Sequence, residues 1–66
     1  MKIFYYELNH GIENDKADWR VYFYDSENGN VAVELIGSYP ELLEMTKNYQ
    51  YVPREAFEMF AKFPIL

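Results

Sequence analysis

The sequence predicts an α+β domain, a three-stranded antiparallel meander followed by two C-terminal helices packed on one face of the sheet (βββαα). Three observations predict it. Residues 2–8, 18–25 and 31–36 are rich in aromatic and β-branched side chains and alternate in polarity. The step Asn28-Gly29 between the last two runs marks a tight hairpin. Beyond Gly37 the apolar residues recur at intervals of three and four, the spacing of a helix face. With 66 residues there is room for a single domain, residues 1–66, and only one core.

In the first strand Phe4, Tyr6 and Leu8 are expected to face the core, because the alternate set, Ile3, Tyr5 and Glu7, includes a charge. Asn9 to Ala17 form a polar loop. The second strand, Trp19-Arg20-Val21-Tyr22-Phe23-Tyr24, places Trp19, Val21 and Phe23 on one face and two tyrosines on the other. A two-residue Asn28-Gly29 turn would pair Glu27 with Asn30 and set Phe23 opposite Glu34, mixing the patterns. A three-residue loop of Glu27, Asn28 and a left-handed Gly29 pairs Ser26 with Asn30. Phe23 then faces Val33 and Val21 faces Leu35, with Tyr22 beside Glu34 and Tyr24 beside Ala32. This register, with one uniformly apolar face, is the expected one.

Ser38-Tyr39-Pro40-Glu41 has the spacing of a capping box, and proline is tolerated in a first helical turn. Leu42, Met45, Thr46 and Tyr49 make the inward stripe. Pro53 ends this helix and opens a second, whose apolar side is Ala56, Phe57, Phe60, Ala61 and Phe63, with Pro64 as the stop. Glu58 precedes Lys62 by four residues, the spacing of an exposed ion pair. Pro64-Ile65-Leu66 is expected to close the core as an apolar tail.

Composition restricts the chemistry. There is no cysteine and one histidine, so no disulfide or zinc site replaces packing. The 20 % aromatic content is the remaining source of core area. The opening Met1-Lys2-Ile3-Phe4-Tyr5-Tyr6 turns polar at Glu7, unlike a targeting segment, and no run approaches the roughly 20 apolar residues of a membrane span. A cytoplasmic location is expected, in keeping with the lack of cysteine. The formal charge of -5 opposes direct nucleic-acid binding, which requires clustered cations, and favours basic partners.

No catalytic constellation is visible. His10 is a lone loop histidine without an orienting partner. Glu13, Asn14, Asp15 and Asp18 lack the spacing of a helix-flanked calcium loop. Gly11, Gly29 and Gly37 are scattered rather than grouped around a phosphate. Glu7 and Glu34 could share a sheet face, but a domain this small seldom encloses the cleft that glycoside chemistry needs. No enzyme activity, metal or cofactor is expected.

The expected function is that of a protein-binding module or small acidic inhibitor. Its contact face would comprise Tyr5, Tyr22 and Tyr24 with Arg20, Glu34 and Ile36, tyrosine being a residue that buries area at low entropic cost. Glu13, Asp15, Asp18, Glu41, Glu44, Glu55 and Glu58 would form an acidic surface, standing where phosphates normally sit on a basic, nucleic-acid-binding partner. In size and charge the chain resembles small acidic inhibitors carried by phages and mobile elements, a likeness of composition that involves no motif. A homodimer of two sheet faces would use the same patch. The rival expectation is a nucleotide or single-strand binder in which the three tyrosines stack a base and Arg20 meets a phosphate.

Overall fold

The computed structural model describes residues 1–10 and 17–63, apart from the side chains of residues 9, 10, 17 and 18. The elements run β1 (Lys2–His10), β2 (Ala17–Asp25), β3 (Asn30–Ile36), α1 (Tyr39–Thr46), β4 (Gln50–Tyr51) and α2 (Arg54–Ala61). The antiparallel meander and both helices are present. A fourth strand joins them, giving a sheet ordered β3-β2-β1-β4 in which β4 lies parallel to β1. Because β1 and β3 each run antiparallel to β2, β3 and β4 point the same way, and α1 is the crossover between them.

The helices do not share a face. Leu42 of α1 packs with Phe4, Val21, Phe23 and Ile36, whereas Phe57 of α2 packs with Ile3 and Tyr22. Ile3 and Phe4 are consecutive, as are Val21 and Tyr22, and successive strand residues point to opposite faces. One helix therefore covers each side of the sheet, and the expectation of two helices on one face is corrected. The reason lies in residues 3–6 and 21–24, where apolar and aromatic side chains follow one another without a polar alternate. Such runs are the pattern of strands buried on both sides.

The hairpin register differs for the same reason. Asp25 pairs with Asn30, so Phe23 stands opposite Ala32, Val21 opposite Glu34, and Tyr22 opposite Val33. The loop holds four residues, 26–29, one more than expected, and a one-residue slip exchanges the faces of every β3 side chain. Val33 and Leu35 thus lie on the α2 side, and Glu34 and Ile36 on the α1 side. Gly29 is left-handed as expected, at φ 71°. Asp25 and Asn28 fix the loop through their side chains, accepting from the backbone N–H groups of Glu27 and Asn30 at 3.0 and 2.9 Å.

Each helix end has a local cause. Ser38 is the N-cap of α1, its hydroxyl oxygen accepting from the Glu41 N–H at 3.3 Å, and Pro40 sits in the first turn. Leu42 and Thr46 face inward, and the buried Thr46 hydroxyl donates to the Leu42 carbonyl at 2.7 Å. Tyr49 lies past the end of α1 and swings back to place its ring 5.0 Å from that of Phe23. In α2, Pro53 is the N-cap and accepts from the Phe57 N–H at 2.9 Å. Phe57 is fully buried, while Phe60 and Phe63 on its expected apolar side are exposed.

Arg54 meets Glu58 at 3.6 Å, in place of the expected Glu58–Lys62 pair. Lys62 has turned left-handed, φ 53° and ψ 41°, and ends the helix. A side chain other than glycine is unfavourable there, so Lys62→Gly is expected to stabilise the fold by about 1 kcal/mol. A urea midpoint that stays put or falls in this variant would refute that account. Of the expected Asn9–Ala17 loop, Asn9 and His10 belong to β1 and Ala17 to β2, while residues 11–16, like the expected tail Pro64-Ile65-Leu66, lie outside the described residues.

Candidate functional site

The α1 face carries a hollow of about 250 Å3 between α1 and the strands β1, β2 and β4, lined by Phe4, Tyr6, Trp19, Tyr39, Leu42, Leu43, Thr46 and Tyr51. Its construction follows from alternation and helical spacing. Phe4, Tyr6 and Trp19 are the α1-side residues of β1 and β2, so they form the sheet wall. Leu42 and Thr46, one turn apart, form the buried helix wall, and Tyr39 and Leu43 stand exposed above them. Tyr51 closes the end because the Phe4 carbonyl accepts from the Val52 N–H at 3.0 Å, which holds β4 against β1.

The rings are in mutual contact. Tyr51 lies 5.5 Å from Tyr6 and 5.7 Å from Phe4, the latter edge-on. Trp19 lies 6.1 Å from Tyr39. These distances fall within the range of favourable aromatic pairs, so the walls are braced by one another. Tyr39, Leu43 and Tyr51 are nonetheless at least half exposed, at 57, 52 and 50 %. Large apolar groups held open to water around a concavity can gain energy by covering it. No carboxylate or base belongs to the lining, so the hollow offers apolar contact and phenolic hydroxyls rather than proton transfer.

The sequence-predicted contact residues are divided between the two faces. Tyr5, Arg20, Tyr22 and Tyr24 lie on the α2 side, while Glu34 and Ile36 lie on the α1 side. Tyr22 is buried beneath α2, its ring 6.2 Å from that of Phe57. Ile36 is buried as well. Tyr5 and Tyr24 are half-buried and pack against the Phe57 cluster, so the three tyrosines make part of a core rather than an open stacking platform. Burial, helped by the Glu7 carboxylate, raises the Tyr5 hydroxyl above its ordinary value near 10.0. Arg20 sits 4.0 Å from Glu7 across the β1–β2 pair, an exposed contact of small energetic weight.

The acidic residues are dispersed in the same way. Glu41 and Glu44 ride on α1, and Glu44 pairs with Lys47 at 2.7 Å. Glu55 and Glu58 ride on α2 at the opposite side of the sheet. Glu13 and Asp15 lie outside the described residues, as does the side chain of Asp18. Among the described residues no three His, Cys, Asp or Glu side chains gather to hold a metal ion. Among those residues, too, no helix is long and apolar enough to cross a membrane.

Sequence reasoning did not single out Tyr6, Tyr39, Leu43 and Tyr51 as a site. A signal existed at Tyr39 and Leu43, four residues apart on a helix with one more apolar stripe than a single packed face needs. None existed at Tyr51, whose place depends on a two-residue strand. No family model, curated protein or solved structure matches the chain.

Proposed function

We propose that this protein is a non-enzymatic binding module that takes an apolar anchor side chain of a protein partner into the hollow formed by Tyr6, Trp19, Tyr39, Leu43 and Tyr51. The observation that carries this reading is an aromatic concavity of about 250 Å3 with no charged residue in its lining. By contrast, a second hollow of about 220 Å3 on the same face includes Glu34 and only two aromatic rings, Phe23 and Tyr49. Small-molecule sites usually run to about 300–1,000 Å3. A space below that range suits one large side chain, and interface energetics commonly centre on such anchors. Glu41 and Glu44 flank the lining residues Leu42 and Leu43 on α1, and the chain carries a formal charge of -5. The preferred partner segment therefore has Lys or Arg beside its anchor. An acidic inhibitor of a basic protein is the form of this reading that best fits the charge.

Trp19 is the single tryptophan and lines the hollow, so its fluorescence reports occupancy. Selection of displayed peptides against the folded domain is expected to enrich an aromatic or branched aliphatic residue next to Lys or Arg. Binding of a selected peptide should shift Trp19 emission, weaken by roughly tenfold or more in Leu43→Lys, and survive Met59→Ala on α2. Peptides lacking an apolar anchor, or equal affinity for the Leu43→Lys variant, would sink the proposal. So would saturable quenching by oligonucleotides in place of peptides.

A further inference from the structure

The backbone of β3 carries an inference independent of the hollow. In an antiparallel ladder a residue directs both its N–H and its C=O to the same neighbouring strand, and alternate residues serve opposite sides. The Phe4 carbonyl bonds Val52 in the direction of β4, and the Met1 carbonyl bonds Ser26 in the direction of β2. Odd-numbered β1 residues therefore bond to β2. Their partners are Tyr24, Tyr22 and Arg20, which leaves Phe23, Val21 and Trp19 to bond β3. Through the register Phe23↔Ala32 and Val21↔Glu34, the even residues of β3 bond inward. The N–H and C=O groups of Val31, Val33 and Leu35 point away from the sheet.

These same residues project their side chains to the α2 face, where Val33 is 48 % and Leu35 63 % exposed. β3 is an outer strand of the sheet, seven residues long, and has no lysine or proline to discourage pairing. We propose that the outer edge of β3 pairs antiparallel with β3 of a second copy of this chain, about a two-fold axis at Val33. In that register Val33 meets Val33 of the partner subunit, and Val31 meets Leu35 of the partner subunit. All three outward-bonding residues of each copy then find partners with matching parity.

The side chains select a second copy over a foreign strand. Val31, Val33 and Leu35 with their symmetry mates make one aliphatic row, which covers the exposed Val33 and Leu35. On the other face Glu34 falls beside Ala32 of the partner subunit, so two like-charged chains join without opposing carboxylates. A basic strand would find no charge to pair at the three bonding positions. The junction also removes the seven-residue β3 edge, leaving at each end of the joined sheet the two-residue β4 and the part of β1 beyond its pairing with β4 at Ile3 and Phe4.

Sedimentation or light scattering of the full chain across a concentration series should give twice the 8.0 kDa chain mass. Val33→Pro removes an N–H that points outward and leaves the ladder to β2 complete, so it should fold and weaken the dimer by roughly a hundredfold. Val33→Lys tests the same edge with the backbone unchanged, should the proline variant fail to fold. The chain has no native cysteine, which makes a register test simple. Facing bonded residues lie about 5.5 Å apart at Cα, within disulfide range, so Val33→Cys should cross-link on mild oxidation and Leu35→Cys should not. A wild-type chain that stays monomeric throughout, a folded Val33→Lys dimer, or cross-linking through Leu35→Cys alone would each overturn the proposal. None of these results affects peptide binding at the hollow, so the two readings fail separately.

Discussion

Phe57→Ala is expected to leave the chain without a stable fold at 25 °C. Phe57 is completely buried and joins α2 to the sheet through Ile3 and Tyr22, with Tyr5, Tyr24, Val31, Val52 and Ala61 around them. Truncating a buried phenylalanine costs about 3–5 kcal/mol, because lost transfer energy adds to the cavity left behind. A chain of this length has roughly 3–10 kcal/mol of stability in total. Few alternatives can refill the space, since Phe60 and Met59 already face water and α2 has no second stripe to rotate inward. Loss of near-ultraviolet circular dichroism and of a cooperative urea transition would show the effect. A cooperative transition displaced by less than about 1 kcal/mol would mean that α2 contributes little to the fold.

The effect of Phe57 also explains which parts of the fold were legible in sequence. The three long strands and both helices came through because local signals were strong: β-branched and aromatic runs, Ser38 before Pro40, and Pro53 between two helical stripes. The two-residue β4, just past Tyr49 on the expected helix stripe, did not. The layering was not legible on the same terms. An open face was inferred from tyrosines at Tyr22 and Tyr24, yet tyrosine accepts burial as readily as exposure when its hydroxyl reaches the rim. Once the sheet is covered twice, no rule requires a uniformly apolar face, and the argument for a three-residue loop falls with it. Ile3 followed by Phe4, and Val21 followed by Tyr22, were the visible warning. The hollow was harder to see, because Tyr6, Tyr39 and Tyr51 come from three elements and meet only when α1 crosses from β3 to β4.

Tyr22 shows how placement changes an experiment. As an exposed contact, Tyr22→Ala would have weakened partner binding with little effect on folding. As a buried ring against Phe57, the same substitution removes core volume, and lost binding would reflect unfolding. Leu43 is the better probe, since it is half exposed and lines the hollow without supporting either core.

Val21→Asp is expected to be the most damaging single change, and its pH dependence identifies the cause. Val21 is fully buried on the α1 side, in the second of four strands, between Tyr6 and Glu34 in adjacent registers. A carboxylate there has no cation opposite it, and Glu34 projects to the same face one strand away. Burial and like charge both raise its pKa in the folded state, by up to about 3–5 units for a fully buried group. At about 1.4 kcal/mol per unit this comes to about 4–7 kcal/mol, which together with the lost valine packing matches the whole stability of a domain this size. A group whose folded pKa lies above its unfolded value near 3.9 contributes least harm below that unfolded value. Its cost then grows as pH rises toward the folded pKa. Val21→Asn supplies the control, with similar shape and polarity but no charge. At pH 3.5 the two variants should have equal urea midpoints, both below wild type, and by pH 7 only Val21→Asp should have lost its transition. Equal behaviour of the two at both pH values would mean that water reaches position 21 and that the sheet is not sealed on its α1 face.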